Sequence, residues 1–212
     1  MTDHYPEGEG PNEDQLLATL AEIVDALDSE QIDYAIMGGI TAYTMARPRV
    51  TDDIDLFVRP GDVPRILTAL DTRGFEVAEH DPTWLAKAWK YGVLVDIIFR
   101  SSGNIYLDEE MLRRRRSREY KGVRSWMVAP EDLLVIKALA SAEPTPHHWY
   151  DALGLIARCE LDWDYVVQRA REAGARRVLS LLLYAESCDL VVPGEVLSAL
   201  LESVHPELGA PR

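Results

Sequence analysis

The chain has 212 residues, 47% of them hydrophobic and 27% charged, the make-up of a soluble polypeptide long enough for one large domain or two small ones. Its formal net charge of −14 disfavours broad, sequence-independent binding to DNA or RNA, because that affinity comes mainly from neutralising phosphates. No apolar stretch approaches the ~18 residues of a membrane span, and the opening MTDHYPEGEGPNEDQ lacks the basic start and apolar middle of a signal peptide, so a cytoplasmic protein without membrane contact is expected.

Residues 1–14 carry five acids and no Lys or Arg, a solvated acidic tail by composition. Leu16, Leu17, Leu20, Ile23, Val24 and Leu27 recur at helical spacing and predict an amphipathic helix over 15–27. Residues 34–37 read as a short buried strand that ends at Gly38-Gly39, and residues 40–45 open a second helix that Pro48 stops. A strand is expected over 51–58. A helix follows over 62–73, with Pro64 in its first turn and Gly74 at its C-terminal end.

Residues 93–99 are apolar on both faces except at Asp96, which predicts a strand inside a sheet. Strand-like residues return at 123–128. From Pro130 onward the pattern is helical, over 131–141, 149–158, 164–173, 176–187 and 196–204. The reading is an α+β core over 15–129 followed by a helical region over 130–212. Cys159 and Cys188 lie in apolar helical surroundings and read as buried thiols rather than a disulfide. The five tryptophans read mostly as core or domain-interface material.

The chemistry concentrates between Met37 and Phe57. Asp53 and Asp55 are two apart on a predicted strand, so both carboxylates point to one face while Ile54 and Leu56 point to the other. On an arbitrary strand such a pair is a solvated edge. Here a Gly-Gly pair precedes it, and a third carboxylate, Asp96, sits in an apolar strand where an unpartnered charge is costly. Glycine lets a backbone approach a phosphate chain, and a helix N-terminus offers it unpaired N–H groups. Carboxylates that share a substrate phosphate suit Mg²⁺. The segment reads as a metal and nucleotide site.

This constellation of Gly38-Gly39, Asp53-Ile54-Asp55 and Asp96 resembles the nucleotidyltransferase superfamily with the polymerase-β-like fold. Arg47-Pro48-Arg49 before Thr51, the run Pro130-Glu131-Asp132-Leu133 with Lys137, and Asp151 resemble the small prokaryotic members, including abortive-infection and toxin–antitoxin types. The resemblance spans roughly residues 30–190. It implies a mixed sheet flanked by helices, a helical C-terminal region, and a nucleoside triphosphate substrate with two Mg²⁺ ions. Asp53, Asp55 and Asp96 would be metal ligands and catalytic carboxylates, with Asp96 alternatively the base. Gly38 and Gly39 would cradle phosphates, Lys137 would contact the triphosphate, and Asp151 would orient Lys137. The chain departs from many members in having Gly39 where they have Ser, and in having Pro144, Pro146, His147 and His148 where relatives often carry an Arg and an Asp.

The implied reaction moves a nucleoside monophosphate to a hydroxyl of an RNA or of a protein such as an antitoxin partner; a small hydroxylated antibiotic is a further acceptor class. A non-catalytic nucleotide sensor is the alternative, and the retention of all three carboxylates favours the enzyme. Simpler readings stand beside these: Lys137 as a helix-surface lysine, Asp151 as a helix cap, and His147 and His148 as packing or capping residues. Residues 113–124 carry seven basic side chains against one acid. Four consecutive arginines cannot share one helix face, so most of them read as solvated or partner-contacting, with one or two left for a nucleotide or RNA phosphate.

Overall fold

The computed structural model describes residues 10–141 and 146–208. They divide into two compact units. The first comprises the chain up to Thr44, Arg49–Arg100 and Tyr106–Val128; the second comprises Met45–Pro48, Ser101–Ile105 and the chain from Ala129 onward.

The first unit opens with α1 (Glu13–Ser29). Asn12 accepts the Gln15 backbone N–H at 2.9 Å and the Gln15 side chain accepts that of Asn12 at 2.8 Å, a reciprocal cap that starts the helix. Glu13 and Asp14, expected in the tail, therefore lie in the first turn, where acids suit the positive end of the helix. The rest of the expected tail, apart from Gly10 to Asn12, lies outside the described residues. There follow β1 (Tyr34–Met37), α2 (Gly38–Met45), β2 (Asp53–Val58), a 3-10 turn (Pro60–Asp62) leading into α3 (Val63–Asp71), β3 (Glu76–Asp81), β4 (Leu85–Lys90), β5 (Val93–Ile98), α4 (Glu109–Arg114), β6 (Arg116–Tyr120) and β7 (Val123–Met127). The strands form one sheet in the order β3-β4-β5-β2-β1-β7-β6. Pairing is parallel where β1 meets β7 and β2 meets β5, and antiparallel elsewhere.

The apolar strand β5 lies inside the sheet, paired on both sides, as its sequence demands. Strands β3 and β4 were not expected, because EVAEHD and LAKAWK are poor in β-branched residues. Pairing decides their state, β4 against β5 and β3 against β4: Tyr91 and Gly92 both take positive φ (54° and 80°), the geometry of a two-residue hairpin loop between β4 and β5.

The basic strip is not a helix face. Arg113 and Arg114 end α4, Arg115 turns the chain, and Arg116 opens β6. Hydrogen bonds from Arg113 and Arg114 hold the Glu110 carboxyl down to about 2. The Arg115 guanidinium donates to the Tyr34 carbonyl at 3.1 Å, pairs with Asp33 at 3.1 Å and lies over the Trp126 ring. Much of the strip is therefore engaged by the chain's own acids and carbonyls. None of the five tryptophans is fully buried, and Trp84 and Trp126 are exposed. The thiol expectation is corrected in the same way. Cys188 is exposed beyond the last helical turn before it, while Cys159 is half-buried beside the Met45 carbonyl, and the two thiols form no disulfide with each other.

The second unit is helical: α5 (Pro130–Ala140), α6 (His147–Arg158), α7 (Trp163–Ala173), α8 (Ala175–Ser187), α9 (Gly194–Val204) and a closing 3-10 turn (Pro206–Leu208). No helix among the described residues is long and apolar enough to cross a membrane. Helix α5 is buried from Pro130 to Ala138 and packs against α6, α7 and α8, which is why its sequence is apolar nearly all round. Its first turn is polar for a different reason. Glu131 accepts the Asp162 backbone N–H at 3.0 Å, and Asp132 accepts the Tyr165 hydroxyl at 2.9 Å and pairs with Arg169 at 3.2 Å. The Pro-Glu-Asp-Leu run is a clamp between α5 and α7. Pro144 lies outside the described residues, and the adjacent His147 and His148 rings, 4.2 Å apart, open α6.

Replacing Asp132 with alanine leaves the buried Arg169 without that carboxylate and should cost about 3 kcal/mol, read by urea unfolding. Glu172→Ala, which removes the half-exposed partner of the same arginine at 3.3 Å, should cost less than about 1 kcal/mol.

Candidate active site

The alternation of β2 is visible in its burial. Ile54 and Leu56 are fully buried, whereas Asp53 and Asp55 are only partly so. The two carboxylates therefore share one face of the sheet, their backbones about 6.6 Å apart along the strand. Thr51, just ahead of the strand, donates its hydroxyl to Asp53 Oδ1 at 2.7 Å and fixes that side chain.

The Gly-Gly pair is where β1 turns directly into α2, and both glycines are buried. Gly38 takes a left-handed φ of +65°, and a β-carbon there would overlap the Asp55 carboxylate. Its register explains this, since Met37 pairs with Asp55 across β1 and β2. A β-carbon at Gly39 would overlap the Thr51 hydroxyl and come within 3.1 Å of the Arg49 guanidinium. The serine that many relatives carry at that place has no room here, and Thr51 brings a hydroxyl to the same spot.

Asp96 lies on β5 in register with Asp55 on β2. It also pairs in register with Lys87 on β4, whose Nζ stands 3.6 Å from Asp96 Oδ1. Lys87 is buried, with 7% of its surface exposed, in a strand otherwise made of Leu, Ala and Trp apart from Lys90. This lysine escaped the sequence reading; the one signal was a Lys at the centre of an apolar pentad, LAKAW. Among the described residues no three His, Cys, Asp or Glu side chains stand close enough together to hold a metal ion. The hard oxygen donors of Asp53 and Asp55 on one face of β2 fit a divalent ion at that pair, and the missing β-carbon of Gly38 is what makes room for the Asp55 carboxylate itself.

Lys137 and Asp151 belong to the second unit. The structure brings them together: Lys137 Nζ lies 3.1 Å from Asp151 Oδ2 and 3.4 Å from His148 Nδ1. Lys137 is 3% exposed and Asp151 fully buried, so neither is a surface lysine nor a helix cap. Asp151 sits inside α6, and the pair ties α6 to α5. An open groove between α7 and α9, lined by Val167, Arg171, Glu172 and Val196 among others, contains none of the expected site residues.

A helix-initiating Gly-Gly, two carboxylates on the next strand and a third in register beside them on a mixed sheet define a polymerase-β-like nucleotidyltransferase fold. Solved structures agree. An antigenic nucleotidyltransferase-like protein from Paracoccidioides brasiliensis superposes with a TM-score of 0.54 at 18% identity, covering 90% of this chain and 94% of that one. The enzyme ANT(2″)-Ia, in complex with adenylyl-2″-tobramycin, gives 0.54 at 16% identity over 81% of this chain and 97% of that one. At the level of sequence, residues 11–188 match the family described as "Uncharacterised nucleotidyltransferase", and the chain belongs to that family. No curated protein matches it significantly.

Gly38→Ala should be destabilised by about 1–2 kcal/mol from the positive φ alone, with more from the overlap at Asp55. In an Asp55→Ala background the added cost should fall, a coupling of about 0.5–3 kcal/mol read from four urea unfolding curves. Additive costs would mean that the two residues do not compete for one space.

Proposed function

We propose that this chain transfers a nucleoside monophosphate from a nucleoside triphosphate to a hydroxyl group and releases pyrophosphate. The observation that carries the reading is the row of Asp53 and Asp55 on β2 and Asp96 on β5, set beside the buried Gly38-Gly39 start of α2. Gly38 and Gly39 let the phosphates approach the backbone N–H groups of α2. Asp53 and Asp55 are the proposed ligands for Mg²⁺, which when bound supplies positive charge to the triphosphate and its leaving oxygens. Asp96 is the third carboxylate, either ligand or base. As a base it takes the proton of the acceptor hydroxyl. The hydroxyl oxygen then bonds to the α-phosphorus as the bond to the bridging oxygen breaks, and pyrophosphate leaves with that electron pair. Lys137, oriented by Asp151, is assigned to the triphosphate on the strength of the resemblance.

The acceptor we favour is a hydroxyl on an RNA 3′ end or on a protein side chain, as in the toxin–antitoxin and abortive-infection relatives, in a cytoplasmic setting with an antitoxin as partner. A second reading has its own support. The likeness to ANT(2″)-Ia, solved with adenylyl-2″-tobramycin, and a net charge of −14 both suit a small cationic acceptor.

The test is label transfer from the four α-³²P nucleoside triphosphates with Mg²⁺, offered a bacterial lysate in one arm and tobramycin in another. Transfer should fall at least ~100-fold in Asp53→Ala/Asp55→Ala protein, the equivalent of about 3 kcal/mol of lost transition-state stabilisation. Nuclease-sensitive, protease-sensitive or small-molecule product then names the acceptor class. Triphosphate binding without transfer from any nucleotide would overturn the enzyme in favour of a sensor.

A further inference from the structure

The buried lysine at the carboxylate row is unexplained by the reading above, on which the following rests. Asp55, Asp96 and Lys87 occupy register-paired positions on β2, β5 and β4, so they form one row across three adjacent strands. Neighbouring strands lie about 4.8 Å apart, so each of these side chains faces the next. A buried ammonium is costly unless a carboxylate answers it, and Lys87 is answered by Asp96 at 3.6 Å. Asp96 keeps part of its surface, its side chain being 21% exposed, while that of Lys87 is 8% exposed. The ammonium thus sits on the inner side of Asp96, and the open side stays accessible.

A divalent ion bound to Asp96 would lie within a few ångströms of that ammonium, and at such separations two cations repel strongly even where the effective dielectric is well above that of dry protein.

We propose that Lys87 is a positioning residue that takes the place of a second cation: its ammonium holds Asp96 out of metal coordination and makes this a single-ion centre on Asp53 and Asp55. Asp96 is thereby assigned to the acceptor hydroxyl, and the two-ion expectation drawn from the resemblance gives way to one ion plus one fixed ammonium. Lys87 touches neither substrate nor metal; it acts through Asp96.

The test counts ions on the full chain with Mn²⁺ as the probe, alone and with tripolyphosphate, by equilibrium dialysis and electron paramagnetic resonance. Wild-type protein should hold one Mn²⁺ beyond any carried by free tripolyphosphate, with the spectrum of an isolated ion. Lys87→Met should gain a second ion, with the exchange coupling of two nearby Mn²⁺ centres, whereas Lys87→Arg should stay at one. Two coupled ions in the wild type, or a folded Lys87→Met protein that still holds only one, would overturn the inference while leaving the proposed reaction standing. A wild-type chain that binds no Mn²⁺ would overturn the metal reading as well. Should Lys87→Met fail to fold, as judged by circular dichroism, the wild-type count decides alone.

Discussion

Like charges set side by side in a sheet need a counter-charge, and the carboxylates on β2 and β5 are the constraint around which the first unit is arranged. Asp55 and Asp96 are register partners, so the parallel pairing of β2 with β5 that completes the sheet also brings two acids together. Each is relieved differently. Asp55 faces the space left by Gly38, where the chain takes a left-handed turn that glycine adopts without penalty. Asp96 faces Lys87, which the antiparallel hairpin of β4 and β5 delivers from the other side. Backbone register, not loop flexibility, sets the spacing of the charges. Sites carried on strands hold their geometry more tightly than sites carried on loops.

The second unit solves a related problem by opposite means. Two of its acids are withdrawn from water and set against buried bases, Asp132 with Arg169 and Asp151 with Lys137. Such pairs contribute little net stability, because desolvation offsets most of the attraction. Their effect is on geometry, since a helix rotated by one residue would separate each acid from its base. They fix α5 against α7 and α6 where the apolar contacts alone would tolerate sliding.

The features set by short-range spacing were legible in the sequence. The strand at 34–37, the turn at Gly38-Gly39 and the shared face of Asp53 and Asp55 follow from a period of two and from glycine, and the five C-terminal helices follow from their apolar stripes. What escaped depended on partners far along the chain. Strands β3 and β4 have weak intrinsic preference and exist because β5 offers β4 an edge and β4 offers one to β3, so Lys87 could not be placed opposite Asp96. The arginines at 113–116 read as solvated or partner-contacting, but the turn from α4 into β6 that separates them was not legible, because nothing local marks it. The burial of Lys137 and Asp151 was hidden for the same reason: each looks like an ordinary polar residue until α5 and α6 are packed together.

Among the described residues the sheet ends in β6, a strand with one neighbour and an outward edge. Such a border is a template for uncontrolled polymerisation. Here it is short, and Arg116 to Glu119 are exposed charged or polar residues. Two copies brought together antiparallel about Arg118 would set guanidinium against guanidinium. Arg116 and Arg118 thus act as a fence, keeping the open border of the sheet from recruiting its own kind when the protein is concentrated.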